Sequence, residues 1–250
     1  MLSPFELLDL AIDCALNAYR SISDDISQYQ IVRQDLDRDV KIAADKKLES
    51  SIIERLISET QFSILSEEIG NVTKNGKNSK YHWIIDPLDG SLNFLRGIPI
   101  SCVSIALWED MEPLLGVVHD FNHNETFSGI VGEGAWLNNR PITVSNITAI
   151  SKAVLCTGFP VSTDFSRKSI FEFSEKIREF KKVRLLGSAA LSLAYVACGR
   201  ADMYFENDIK IWDVAAGLAL VKAAGGVVKY NRTIKENIIV VKASNKFLIS

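Results

Sequence analysis

Two aspartates, Asp86 and Asp89, stand three residues apart around Pro87-Leu88, and Gly90-Ser91 follow at once. The apolar run before them, Trp83-Ile84-Ile85, reads as a buried strand. Ionised carboxylates about 4 Å apart repel by about 4 kcal/mol at an effective dielectric of about 20. A pair placed this way at a strand end calls for a positive charge between them or for a fold that holds them apart. Pro87 has no amide hydrogen and a fixed φ, so it stiffens the turn that aims both acids, and the Leu88 carbonyl, at one point. Hard divalent cations such as Mg²⁺ take oxygen ligands, usually carboxylates with water and phosphate. Gly90 permits close backbone approach, and the Gly90 and Ser91 amides can face an anion where a short helix begins. Metals beside a phosphate are what a two-metal phosphatase requires.

Other acids stand at comparable places. Glu67-Glu68 follow the apolar run Phe62–Leu65 and precede a Gly/Asn-rich loop, Gly70 to Lys80. Asp213 lies in IWDVAAG, in the first turn of an Ala/Leu/Val-rich helix. Each alone has a plainer reading. An acid at a helix start contributes about 0.3–1 kcal/mol through the dipole, and Asp-Pro is common in turns. Together they form an oxygen donor set for a divalent cation.

The rest of the chain has to position these residues. It has 250 residues, 47% hydrophobic and 24% charged, with net charge −3, an ordinary globular composition. The mild acidity argues against nucleic-acid and membrane-surface roles, which need basic patches. No apolar run reaches transmembrane length, and Glu6, Asp9 and Asp13 interrupt any signal-peptide core. Cys14, Cys102, Cys156 and Cys198 show no CxxC pairing and read as buried thiols of a reducing, cytoplasmic protein.

Ser3-Pro4-Phe5-Glu6 is a capping box, opening a helix over about 4–20. Ser21–Asp39 reads as a loop, and a second helix runs over about Ala44–Glu59. Ile100–Leu107, Leu114–His119, Glu125–Val131 and Ile142–Val144 are β-branched segments between turn residues, hence sheet. Beyond them strands (Val154–Thr157, Val183–Leu186, Ala201–Phe205) alternate with helices (Ser169–Lys181, Ser188–Cys198, Trp212–Ala224). Strands at Val227–Tyr230 and Ile238–Val241 close the pattern. The mixture favours layered α and β over a doubly wound sheet.

The string DPLDGSLNF resembles the D-P-[ILV]-D-G-[ST]-x-N-F motif of the inositol monophosphatase family, metal-dependent, lithium-sensitive sugar-phosphate phosphatases. Ser66-Glu67-Glu68 is similar to its Glu-Glu element, and WDVAAGLALVKAAGGVV to its second motif. LLGSAALSLAYVACGRADMYFE resembles the segment with substrate contacts, and GEGAWLNNRPITVS a family hairpin. The resemblance implies one domain over 1–250, a layered αβαβα sandwich with halves at about 1–150 and 151–250. It implies Mg²⁺, two or three ions per subunit, held by Glu67, Asp86, the Leu88 carbonyl, Asp89 and Asp213. Asp45 would hydrogen-bond the Ser91 hydroxyl, and with Glu67 that pair would activate water. Gly90 and Ser91 would hold phosphate, while Gly187, Ser188, Ala189 and Glu206 would face sugar hydroxyls. A homodimer is implied as well. Two departures stand out: relatives carry a further helix after the segment IIVVKASNKF, and Arg33–Asp45 is unusually charged, which bears on a third metal.

By the same resemblance, Ser91-Leu92-Asn93-Phe94 implies substrates of the inositol or fructose-bisphosphatase kind. The reading is a phosphomonoesterase of myo-inositol monophosphate or a related polyol phosphate, with fructose-1,6-bisphosphatase the alternative. Activity on 3′-phosphoadenosine nucleotides or NADP, or a non-catalytic protein-binding scaffold, follow behind. His119-x-x-x-His123 has zinc-like spacing only in a helix, and it crosses an expected strand and turn. Gly132-x-Gly134 lacks a third glycine and reads as a hairpin, and Gly158-Phe159-Pro160 as a loop breaker bordering the substrate.

Overall fold

A computed structural model describes residues 2–36, 39–72, 79–161, 163–234 and 236–249. Helix α1 (Pro4–Ser23) starts at the expected box, with the Ser3 hydroxyl and Glu6 carboxylate exchanging bonds with each other's backbone amides. It packs against α2 (Ala43–Glu59), and both cover one face of an eight-stranded sheet. That sheet holds β3 (Ser63–Ser66), β4 (Gly70–Val72), β5 (Tyr81–Asp89), β6 (Cys102–Glu109) and β7 (Glu112–Asp120). It continues through β8 (Glu125–Ile130), β9 (Gly134–Leu137) and β10 (Arg140–Ile142), in the order β10-β9-β8-β7-β6-β5-β3-β4.

On its other face lie α5 (Ala189–Ala197) and α6 (Ile211–Ala223). Behind them stands a second sheet of order β12-β11-β13-β15-β14. Its strands are β11 (Val154–Cys156), β12 (Lys182–Arg184), β13 (Met203–Lys210), β14 (Val227–Arg232) and β15 (Ile238–Ser244). Helix α4 (Arg167–Ile177) lies outermost, with Ile177 packed on the cluster around Leu155 and Met203. The layers therefore run α, β, α, β, α, as the motifs imply.

Why α6 is apolar all round follows from this sandwich. A helix between two sheets has no solvent face, and ten of its residues are buried. Gly116 on β7 meets the Ala216 carbonyl of α6 so closely that any Cβ would collide with it. Each Leu or Ile fully buried here contributes about 1.5–3 kcal/mol.

The sequence reading fails in two expected loops and drifts elsewhere: Gly70–Val72, read as the start of a loop, pairs with β3 as strand β4. Within the expected loop Ser21–Asp39, a hairpin forms from β1 (Val32–Leu36) and β2 (Asp39–Ile42). In a mostly charged stretch its apolar signal is short, Val40 and Ile42 alternating with Lys41 and buried in the core shared with α1 and α2, and bonds at its flanks add to this. The Ala43 amide donates to the Ile31 carbonyl at 2.9 Å, and Gln30 Nε2 to the Phe94 carbonyl at 2.8 Å. The strand expected at Ile142–Val144 is observed at Arg140–Ile142, and α4 ends at Ile177 rather than Lys181. Of the Gly/Asn-rich loop, residues 73–78 lie outside the described residues.

Candidate active site

A strand with period two would send Asp86 and Asp89 to opposite faces. The pairing of β5 with β6 shows why it does not. Asp86 stands opposite Ser104 and Asp89 opposite Cys102, so three steps on β5 match two on β6. This bulge absorbs Pro87, which cannot donate to a ladder, and turns Asp89 onto the face of Asp86. The Asp86 carboxylate then accepts the Leu88 amide at 3.0 Å, closing the turn. Gly90 follows with φ +89°, and a Cβ there would lie 2.7 Å from the Ile100 carbonyl. The short helix α3 (Ser91–Arg96) begins immediately. Its Asn93 amide donates to the Ile100 and Leu186 carbonyls, both at 2.9 Å, joining the corner to the loop before α5.

Glu67 reaches the same place from the neighbouring strand. Parallel pairing sets Ser66 beside Ile85, so Glu67 and Asp86 follow the carboxyl ends of adjacent strands. Asp213 comes from the first turn of α6. A cleft of about 490 Å³ is lined by Glu67, Asp86, Asp89, Ser91, Glu206 and Asp213, among others. The motifs aim these acids at one point. The structure brings them to one cleft, but among the described residues no three acidic, His or Cys side chains are already gathered at ligating range.

Their electrostatics register the crowding. Burial, then the charges of Glu67, Asp89 and Asp213, push the Asp86 carboxyl well above the usual range. Burial lifts Asp89 to about 6, opposed by hydrogen bonds from Ser188 and the first amides of α5. Ser188 Oγ donates to Asp89 Oδ2 at 2.5 Å and the Ala190 amide at 2.7 Å. The Ser188 hydroxyl is thus engaged with Asp89 and also caps α5 through the Leu191 amide. Gly187 and Ala189 line the cleft beside it.

The expected pair is present: Ser91 Oγ donates to Asp45 Oδ1 at 3.0 Å and lies 2.8 Å from the Leu88 carbonyl. One hydroxyl hydrogen cannot serve both acceptors fully. Asp45, lifted to about 7 chiefly by burial, can itself carry the proton between them while its other oxygen accepts the Ile42 amide at 2.6 Å. Glu206 is raised to about 7, again by burial, and accepts the Tyr204 hydroxyl at 2.8 Å.

The donor set fits a hard divalent cation: every candidate group is an oxygen, and the buried acids hold raised proton affinity that a cation can replace. Among the described residues, two buried side-chain polar atoms have no hydrogen-bond partner, Ser104 Oγ and Trp212 Nε1. Ser104 faces Asp86 across the sheet, and Trp212 adjoins Asp213. His119 and His123 have separate partners instead, Thr126 and Asp120 respectively.

Comparison with known proteins agrees with this geometry. The sequence model of the inositol monophosphatase family matches residues 5–242. This chain belongs to the inositol monophosphatase family. It is a phosphatase. An inositol-1-monophosphatase of Mesorhizobium japonicum is 37% identical over 226 residues, covering 89% of this chain and 84% of that protein. A Nus factor SuhB of Xylella fastidiosa is 48% identical over 168 residues, 67% of this chain and 60% of that one. The solved inositol monophosphatase of Anabaena superposes with a TM-score of 0.81 at 37% identity, over 97% of this chain and 91% of its own.

Several residues of the phosphatase escaped the motif reading. Asp208 and Lys210 of β13 line the cleft, beside the loop Thr157–Pro160, whose Gly158–Pro160 was expected to border the substrate. Asp208 projects because β13 bulges between Glu206 and Ile209, giving it φ 56°. Asn-Asp at a strand interior is the signal that marks such a bulge. Asn93 lay within the quoted motif, but its partners are distant in sequence.

Proposed function

We propose that the phosphatase is a Mg²⁺-dependent phosphomonoesterase of myo-inositol monophosphate or a closely related polyol phosphate. The observation that carries this is the bulged corner: four acids around one cleft, three of them raising the fourth, Asp86, with a hydroxyl–carboxylate pair beside them. Glu67, Asp86, the Leu88 carbonyl, Asp89 and Asp213 would hold the cations, two or three per subunit. The Leu88 oxygen keeps a second lone pair after accepting from Ser91. Bound divalent cations supply charge neutralisation at the phosphoryl group and acidify water.

The chain's own residues do the rest. The Gly90 and Ser91 amides, at the start of α3, present donors to phosphate oxygens. Asp45 holds or accepts a proton at Ser91 Oγ, so Ser91 orients the attacking water rather than attacking phosphorus itself. Glu206 accepts a hydroxyl of the polyol, its other oxygen fixed by Tyr204. Attack is in line, with no covalent phosphoenzyme.

A phosphate-release panel with Mg²⁺ tests the reading, using inositol 1-phosphate, fructose 1,6-bisphosphate, 3′-phosphoadenosine 5′-phosphate and NADP. Inositol 1-phosphate should be turned over fastest. Preference for the bisphosphate would install the fructose-1,6-bisphosphatase alternative, and preference for a nucleotide would reassign the subgroup. A second reading comes from the relative named a Nus factor, 48% identical, which suggests a protein-binding role beside catalysis. The complete acid set opposes a scaffold role alone. No described helix is long and apolar enough to cross a membrane. The four free cysteines support the proposal of a cytoplasmic enzyme. A homodimer is part of the same reading, and light scattering should give twice 27.8 kDa.

A further inference from the structure

Helix α2 carries two acids on one face. Asp45 and Glu49 stand four residues apart, one turn above the other. Asp45 meets Ser91, but the chemistry so far has no use for Glu49. It is only 2% exposed, and a glutamate is rarely buried without full pairing.

Its partners show what it holds. Oε1 of Glu49 accepts the Ser66 hydroxyl, the Glu68 amide at 3.1 Å and the Ile69 amide at 3.2 Å. These donors bracket Glu67 on both sides. The Glu67 amide itself donates to the Ile85 carbonyl at 3.3 Å. Glu68 is drawn away by an ion pair with Lys41 of the β1–β2 hairpin, while Glu67 lines the cleft.

We propose that Glu49 is a positioning residue for Glu67. By gripping the backbone before and after Glu67 from α2, it sets that carboxylate in register with Asp45 and Ser91, so one helix aligns the cation-holding and proton-holding sides of the site. This rests on the reading of Glu67 as a metal ligand. Groups that orient a ligand typically change metal affinity by about 10–100-fold when removed.

The test is a double-mutant cycle on the full chain, with Mn²⁺ as probe. Glu49→Leu and Glu49→Gln are made alone and with Glu67→Gln, free Mn²⁺ is read by electron paramagnetic resonance, and thermal melting is followed without metal. Glu49→Leu should weaken Mn²⁺ binding about tenfold or more. Glu49→Gln keeps the volume and one acceptor oxygen, so it should retain part of that affinity. In the Glu67→Gln background both should add less than about twofold, since Glu49 acts through Glu67. Unchanged Mn²⁺ affinity, or the same factor in both backgrounds, makes Glu49 a structural acid and overturns the inference while leaving the site reading intact. A silent Glu67→Gln would remove Glu67 from the ligands and take the inference with it. Should Glu49→Leu fail to fold, the Glu49→Gln cycle decides by the same criteria.

Discussion

The acid corner and the wall facing it are built in opposite ways. Asp86–Ser91 sits on a central strand, and side chains and amides from β6, α2 and α5 hold each of its groups. Across the cleft, Thr157–Pro160 leads to α4, which buries none of its residues. Phe159, Phe165 and Phe171 are exposed there, the last by 65%. Groups that share cations must be held to a few tenths of an ångström, which needs many restraints. A wall that meets only substrate hydroxyls needs fewer. Under the proposed function, the contrast would separate turnover, set at the corner, from selectivity, set at the rim.

Breaking the corner should have the largest effect. Asp213→Asn should lower Mg²⁺-dependent phosphate release about 10³-fold, several kcal/mol of lost charge stabilisation, with a native far-UV circular dichroism spectrum. Turnover near the wild-type rate would take Asp213 out of the ligand set. Ser91→Ala removes the hydroxyl that Asp45 holds, and kcat should fall by roughly 10²–10⁴-fold. If kcat holds, the pair plays no part in proton transfer.

The rim should respond differently. A Cβ on Gly158 would collide with Glu206 Oε1. Gly158→Ala should therefore raise KM for inositol 1-phosphate by about tenfold, near 1.4 kcal/mol. It should leave kcat for p-nitrophenyl phosphate, which has no polyol hydroxyls, within twofold. Equal losses on both substrates would mean that the wall and the corner are not separable.

A smaller effect sharpens the same contrast through pH. Asp86 and Asp89 have folded pKa values raised above their unfolded ones, Asp89 to about 6. At these two groups the folded state then binds more protons than the unfolded chain, so their contribution to metal-free stability is largest at low pH and declines as pH rises above about 4, through 6 for Asp89. Thermal melts in EDTA should show that decline, and Mg²⁺ should restore more at pH 8 than at pH 5. A metal-free protein that gains stability across this window would contradict the crowding of acids.

Much of this was legible in the sequence, and for definable reasons. The motif DPLDGSLNF and the β-branched runs mark the central sheet because buried strands have few alternatives. The β1–β2 hairpin was not legible, since its buried pair, Val40 and Ile42, stands in a mostly charged stretch. Asp45 was placed against Ser91 by resemblance, and the 3.0 Å bond agrees. Asp89 reaching the face of Asp86 was expected from the turn stiffened by Pro87; its cause, one extra residue in the strand pairing, depends on the register with β6. Glu49 and the Ser188 hydroxyl were invisible as site-builders because their partners, Ser66 and Asp89, are distant along the chain.

The central claim is that Glu67, Asp86, Asp89 and Asp213 jointly hold divalent cations. A crystal grown with Mn²⁺ and measured at the manganese absorption edge tests it most directly. Anomalous peaks should lie about 2.0–2.3 Å from oxygens of Asp86 and at least two of the other three. Peaks elsewhere, or none at an Mn²⁺ concentration that sustains turnover, would contradict it.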